Sequence, residues 1–260
     1  MFLNESTYFY KKPLRIVSLV PSQSELLYAL GLEANVVGIT KFCIHPAHWI
    51  NTKKIIGGTK QLNIDAIRAL EPDLIIANKE ENSKEQVEIL AADFPVYVTD
   101  VCNLTDALLM IKNIGIITHT VTSANLLNEK IEQAFASLSK LNSVNTAYLI
   151  WRNPYMTVGY DSFIHDMLIR CGFINIFADT ERYPHITIDE IKARDCKLLL
   201  LSSEPYPFQE KHISELKQAL PNCSIRLVDG EFFSWYGSKL IHAPAYFNLV
   251  INGLSAAIPE

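Results

Sequence analysis

The sequence predicts an α/β protein of two similar parallel-sheet lobes joined by one long rigid helix, with a ligand cleft between the lobes. Three observations carry that expectation. Short β-rich runs alternate with short helical ones in the first part of the chain. A long helical pattern then interrupts the alternation, which restarts beyond it. The restart also repeats the beginning. Ile64-Asp65-Ala66-Ile67 followed by Leu74-Ile75-Ile76 matches Ile188-Asp189-Glu190-Ile191 followed by Leu198-Leu199-Leu200 at the same intervals, and the same register pairs Glu80 with Glu204.

The first strand is the run Ile16 to Val20, broken by Pro21. A helix follows with Leu26, Leu27 and Leu30 on one face. Ser22 is its expected cap, Glu25 completes a capping box, and Gly31 closes it. Next come a strand over Val36 to Ile39, a helix over Ile64 to Leu70, a strand over Leu74 to Ala77, a helix over Lys84 to Leu90 and a strand over Val96 to Val98. Thr105 to Ile117 and Ser123 to Leu141 read as two consecutive helices, the second with Leu127, Ile131, Ala134 and Leu138 in one stripe. The alternation resumes with a strand over Ala147 to Trp151, a helix over Phe163 to Arg170 ended by Gly172, and a strand over Ile225 to Val228. The expected division is an N-terminal lobe over 1–120, a connecting helix over 121–142 and a C-terminal lobe over 143–260.

At 260 residues, 49% of them hydrophobic, the chain buries a sizeable core, which excludes disordered and fibrous classes. The formal charge is -5 and the Lys and Arg residues are scattered, so no basic stripe follows a nucleic-acid backbone. No apolar run is long enough to span a bilayer. The five cysteines have irregular gaps and no CxxC; buried free thiols are expected rather than a disulfide framework. MFLNESTYFYKKPLRIVSLV lacks the basic, apolar and small-residue sections of a secretory leader, so either the chain stays inside the cell or a leader is missing from this sequence.

Open parallel sheets bind ligands outside the carboxyl ends of their strands, which directs attention to the loops there. The first lobe offers Ser22, Gln23, Lys41, Phe42, His45, Lys60 and Glu80, with Glu81 on the rim. The second offers Trp151, Arg152, Tyr155, Tyr160, Glu204, Tyr206, Phe232, Trp235 and Tyr236. Such a mixture suits a large, partly planar, partly polar molecule better than a bare ion. Cys43, His45 and His48 raise a metal reading, but Pro46 breaks any helix that would align the histidines. An enzyme using Cys43 or His45 lacks an identifiable partner base. Gly57-Gly58-Thr59-Lys60 is a plain turn, since GxxxxGK is absent, as are GxGxxG and GxSxG.

RIVSLVPSQSELLYALGLEANVVGIT, ALEPDLIIA, VGYDSFIHDMLIRCGFINIF and the terminal aromatic loop with its following helix together resemble the helical-backbone periplasmic binding proteins of ABC importers. The likeness spans residues 14 to 255, and the cobalamin-binding branch is the nearest in that group, which also delivers haem and ferric siderophores. It implies a non-catalytic, periplasmic, monomeric binder with no cofactor, which captures a metal chelate with little hinge motion and passes it to a permease. It also implies that Asp65 and Asp189, at positions where the cobalamin-binding relatives carry a docking carboxylate, face that permease. The alternative is a binder of bare zinc or manganese.

Overall fold

The computed structural model describes residues 1–3, 11–139 and 143–255. In chain order the first elements are β1 (Phe2–Leu3), β2 (Ile16–Ser18), α1 (Pro21–Ala29), β3 (Val36–Ile39), α2 (Trp49–Thr52), β4 (Lys54–Ile55), β5 (Gly57–Gly58), β6 (Gln61–Leu62), α3 (Ile64–Arg68), β7 (Leu74–Asn78), α4 (Lys84–Asp93) and β8 (Val96–Thr99). Two helices follow, α5 (Leu104–Ile117) and α6 (Val121–Ala136). The remainder is β9 (Val144–Leu149), β10 (Tyr155–Met156), α7 (Phe163–Arg170), β11 (Phe173–Asn175), β12 (His185–Ile186), α8 (Ile188–Ala193), β13 (Leu198–Ser202), α9 (Glu210–Ala219), β14 (Ser224–Val228), α10 (Gly230–Ser234), a 3₁₀ turn over Ser238–Ile241 and α11 (Ala243–Ser255). Among the described residues, no helix is long and apolar enough to cross a membrane.

Two compact units emerge. One comprises Met1–Val101, Thr105–Ile131 and Tyr236–Lys239; the other comprises Cys102–Leu104, Glu132–Trp235 and the chain from Leu240 on. The first is built on a six-stranded sheet of order β1-β8-β7-β2-β3-β4, the second on a four-stranded sheet of order β11-β9-β13-β14. Every pairing within these two sheets is parallel. The central strands β7 (LIIAN) and β13 (LLLLS) are buried along their whole length, as near-continuous apolar runs are when helices cover both faces of a parallel sheet.

The repeat read from the sequence survives in detail. The helices α3 and α8 begin at matching positions, each capped by the preceding residue: Asn63 accepts from the Ala66 amide and Thr187 from the Glu190 amide. Each helix is followed by a left-handed residue at the same place in the repeat, Glu71 at φ 45° and Asp195 at φ 49°. That conformation ends the helix and turns the chain into the strand.

Several boundaries differ from expectation. Ser22 is not a cap: Val20 is the N-cap, with no side-chain hydrogen bond, because Pro21 occupies the first helical position and starts the helix two residues early. The connecting helix α6 has 16 residues, about 24 Å, and stops at Ala136. Leu138 therefore lies beyond it, and Leu141 falls outside the described residues. The strand expected up to Trp151 ends at Leu149, and Trp151 instead makes an isolated bridge with Met156. Of the stretch expected to be a plain turn, Thr59-Lys60 is the tip of the β5–β6 hairpin and Gly57–Gly58 is the strand leading into it.

The left-handed Glu71 gives a stability test. Replacing it with Gly removes the Cβ penalty at that φ, and Glu71→Gly is expected to raise unfolding free energy by up to about 1 kcal/mol in urea titration. A destabilised variant would show that the Glu71 side chain contributes more than its backbone costs.

Candidate functional site

In the first sheet the chain moves from β2 outward through β3 to β4, then returns to β7 on the other side of β2. The strand order therefore reverses between β2 and β7. In the second sheet β11 lies on one side of β9, while β13 and β14 lie on the other, so the reversal falls between β9 and β13. Loops leaving adjacent strands diverge at such a point and open a crevice at the carboxyl edge. The loops concerned are those after Ser18 and Asn78 in the first unit, and after Leu149 and Ser202 in the second.

The loops at the first of these edges rest on an amide network. Asn82 Nδ2 donates to the carbonyls of Leu19 and Thr59, each at 3.1 Å, and its Oδ1 accepts the Asn78 amide at 2.8 Å. Asn78 in turn donates to Thr99 and accepts the amides of Glu80 and Glu81 through Oδ1. Gln23, fully buried in α1, donates to Thr99 Oγ1 and Met110 Sδ, and Ser22 is also buried. The two foremost sequence candidates of this unit thus lie beneath the surface. Asn82 carried no role in the sequence reading, although the Asn78/Asn82 pair at a strand end was the available signal.

The exposed side chains stand around this network. Phe42 is 50% exposed, with Lys41 Nζ 5.1 Å from its ring centroid. Both rest on Gly58, where an added Cβ would lie 3.2 Å from the Phe42 ring and 3.3 Å from Lys41 Cε. Lys60 donates to the Glu80 carbonyl at 2.6 Å, tying the hairpin to the β7 loop. Burial pushes the Glu81 carboxyl up, opposed by the Lys60 charge. His45 is partly buried. The remaining member of the metal reading, Cys43, is fully buried with its sulfur against Ser24 Oγ (3.0 Å) and Thr40 Oγ1 (3.2 Å), and burial raises its pKa. Such a thiol is neither a nucleophile nor an accessible ligand.

In the second unit the crevice loops meet directly. The Tyr206 amide donates to the Ile150 carbonyl, and the Trp151 and Tyr206 rings lie edge to face at 5.8 Å. Tyr206 packs in turn on Phe208 at 4.8 Å, and its hydroxyl lies 3.3 Å from His212 Nε2. Trp151 remains 40% exposed. Arg152 pairs with Glu215 at 2.7 Å; hydrogen bonding to Tyr206, then to Tyr155, raises its pKa further, and its buried Nε has no hydrogen-bond partner. Tyr160 is half exposed and donates to Glu181 at 2.9 Å.

Glu204 turns inward from the same loop. Its Oε1 accepts from Ser234 Oγ at 2.7 Å and from Trp235 Nε1 at 2.9 Å. Close approach makes this possible: a Cβ on Gly230 would lie 2.3 Å from Ser202 Oγ and 2.7 Å from Glu204 Cγ. The segment expected to be a loop here is largely the helix α10, with Phe232 stacked on Tyr246 at 4.4 Å. Trp235 and Tyr236 are both buried.

Asp65 and Asp189 occupy the second position of α3 and α8, and both are exposed. Because each helix runs back before the next parallel strand, its N-terminus lies at the carboxyl edge of its sheet. Arg68 is only a distant partner of Asp65, at 3.8 Å. Among the described residues, no group of three or more His, Cys, Asp or Glu side chains is placed to hold a metal ion.

Two similar parallel sheets with their loops built this way define a two-lobed binding protein. Residues 16–221 match the family model of the periplasmic binding proteins, and the chain belongs to that family. It is similar to the vitamin B12-binding protein of Vibrio cholerae serotype O1, 23% identical over 197 residues, or 72% of this chain and 70% of that protein. Among solved structures, the periplasmic vitamin B12-binding protein of Vibrio cholerae superposes with a TM-score of 0.76 at 19% identity, covering 94% of this chain and 98% of that one. The periplasmic haem-binding protein of the same organism gives 0.76 at 20% identity, covering 93% and 98%.

His165 and His212 set a pH dependence. Burial is the main cause lowering both, with the Arg152 charge next for His212. His212 Nδ1 accepts the Gln209 amide at 2.9 Å, and His165 Nδ1 accepts from Asn175, so protonation breaks both contacts. A lowered folded pKa leaves stability complete above the unfolded value near 6.5, and stability is lost as pH falls through it. The melting temperature is expected to drop between about pH 7.5 and pH 5.5, and His212→Asn, which keeps an acceptor, to flatten that slope. An unchanged slope in His212→Asn would remove His212 from the account.

Proposed function

We propose that this protein is the substrate-binding component of an ABC-type importer, which captures a metal chelate in the periplasm and presents it to a membrane permease. Cobalamin is the leading ligand, with haem and ferric siderophores as the other members of the class. The observation that carries the reading is the pair of exposed rings, Phe42 and Trp151, standing at the carboxyl edges of the two sheets beside Lys41 and Arg152. Flat apolar surface with a flanking cation suits a large ring system bearing amide, phosphate or carboxylate groups. The curated relative named above is a vitamin B12-binding protein, which favours cobalamin. Tyr155, Tyr160, Lys60, His45 and Glu80 complete the proposed contacts, and Tyr206 supports Trp151. Ser22, Gln23, Glu204, Phe232, Trp235 and Tyr236 belong to the same edges and act from beneath, by holding the loops. The protein performs no chemistry in this reading, and Cys43, sealed in the core, is no accessible nucleophile.

Useful scavenging corresponds to a dissociation constant from micromolar to nanomolar, about -8 to -12 kcal/mol. Purified protein titrated with cyanocobalamin, haem, a ferric hydroxamate and Zn²⁺, followed by tryptophan fluorescence and melting temperature, is expected to select one chelate. Phe42→Ala and Trp151→Ala are each expected to weaken that ligand by about tenfold, about 1.4 kcal/mol, with little change in the ligand-free melting temperature. Stabilisation by Zn²⁺ alone, abolished by substituting Cys43 and His45 together, would overturn the reading.

Asp65 and Asp189 are proposed to dock on cationic groups of the permease, each at a helix start on its own unit. Asp65→Lys and Asp189→Lys are expected to leave chelate affinity unchanged and to lower uptake in cells carrying the cognate permease. Undiminished uptake in the double variant would exclude the docking role.

A further inference from the structure

Cys196 and Cys223 lie at the amino edge of the second sheet, the end away from the proposed ligand loops. Cys196 stands two residues before β13 and Cys223 one residue before β14, and those strands begin their pairing with Leu198 opposite Ser224. The two sulfurs are 3.8 Å apart, in van der Waals contact, inside the unit's core with Leu216 and Leu220. Cys196 is 8% exposed and Cys223 2%. Each thiol also has a carbonyl neighbour, Leu198 O at 3.1 Å from Cys196 Sγ and Ser224 O at 3.5 Å from Cys223 Sγ. Lys217 holds the Cys223 carbonyl at 2.9 Å, fixing that turn.

The internal repeat supplies an independent observation. In the first unit Pro72 stands two residues before β7 and Pro95 one residue before β8. The two strand entries that the first unit stiffens with prolines are those where the second unit carries cysteines. Proline restrains the unfolded chain by fixing φ, and a cross-link restrains it by closing a loop.

We propose that Cys196 and Cys223 form a dithiol site that closes to an intrachain disulfide by exchange with a small-molecule or protein disulfide, clamping the entries of β13 and β14. The more exposed Cys196, as its thiolate, attacks one sulfur of the incoming disulfide and releases the first thiolate. Cys223 then gives up its proton to solvent and attacks the Cys196 sulfur, forming the protein S–S bond and releasing the second thiolate. The protein loses two protons and two electrons, and the incoming disulfide takes up two electrons and two protons to become two thiols. Rotation of the two side chains brings the sulfurs from contact to the bonded distance of about 2.05 Å. The hydrogen bond from Cys223 favours the Cys196 thiolate, in keeping with Cys196 as the attacking group.

The test uses the full chain equilibrated with mixtures of oxidised and reduced glutathione, quenched in acid, alkylated and mapped by peptide mass. The expected result is one linked peptide pair, Cys196 to Cys223, lighter by two hydrogens, with Cys43, Cys102 and Cys171 still alkylated after unfolding. The oxidised protein is expected to melt above the reduced form, and Cys171→Ser to retain that difference. Cys196→Ser and Cys223→Ser are each expected to abolish it; taking the difference within each variant removes any change in its basal stability. Failure to form the pair under fully oxidising conditions, a linkage between other cysteines, or a linked protein that melts no higher than the reduced one would each overturn the proposal. None of these readouts involves a chelate or a permease, so the result stands apart from the transport reading.

Discussion

A parallel strand that ends inside a protein leaves amide and carbonyl groups without ladder partners, and in a buried sheet those groups must be met by side chains. Everything proposed for this molecule stands on how its two central strands meet that requirement. β7 ends on Asn78, whose amide and side chain are tied to Asn82, Thr99 and the next loop. β13 ends on Ser202, whose hydroxyl donates to the Glu204 carbonyl at 2.6 Å and accepts from Tyr148. The polar residue therefore stands at the same repeat position in both units and turns the chain in both. The loops that follow are held by bonds within the sheet edge, which leaves their outer side chains available.

The two edges are finished differently. In the first unit the Phe42 ring and Lys41 rest on Gly58, Asn82 holds the Thr59 carbonyl, and Lys60 is tied to the Glu80 carbonyl. In the second, Trp151, Tyr206, Phe208 and His212 form a continuous ring cluster, and Arg152 is braced by Glu215. In the proposed binding role, ordering these side chains in advance lowers the entropy cost of taking a ligand. The same burial lowers the His212 pKa, which joins the order of this edge to pH.

Much of the fold was legible because it rests on local pattern. Continuous apolar runs mark the central strands, the helix from Phe163 to Arg170 has its cap and its terminal glycine in the sequence, and the repeat fixes which segments correspond. Misread boundaries have local causes as well. Pro21 moved a helix start, and Leu149 ended a strand whose apolar continuation, Ile150 and Trp151, belongs to the loop. Short strands such as β11 and β12 carry too few residues for any period to show, and exist only through their partners.

The sequence by itself determined the class of protein, the repeat, the strands whose end loops are proposed to take the ligand, and the residue types those ends would present. Only the tertiary structure decided which of those residues face outward and which hold the edge together. Gln23 and Ser22 turned out to lie beneath the surface, Glu204 to bond Trp235, and Cys196 to touch the cysteine at the entry of the neighbouring strand. The reason is physical: periodicity and capping act over a few residues along the chain, whereas a hydrogen bond from Asn82 to Leu19, or from Arg152 to Glu215, joins residues whose separation leaves no trace in either neighbourhood.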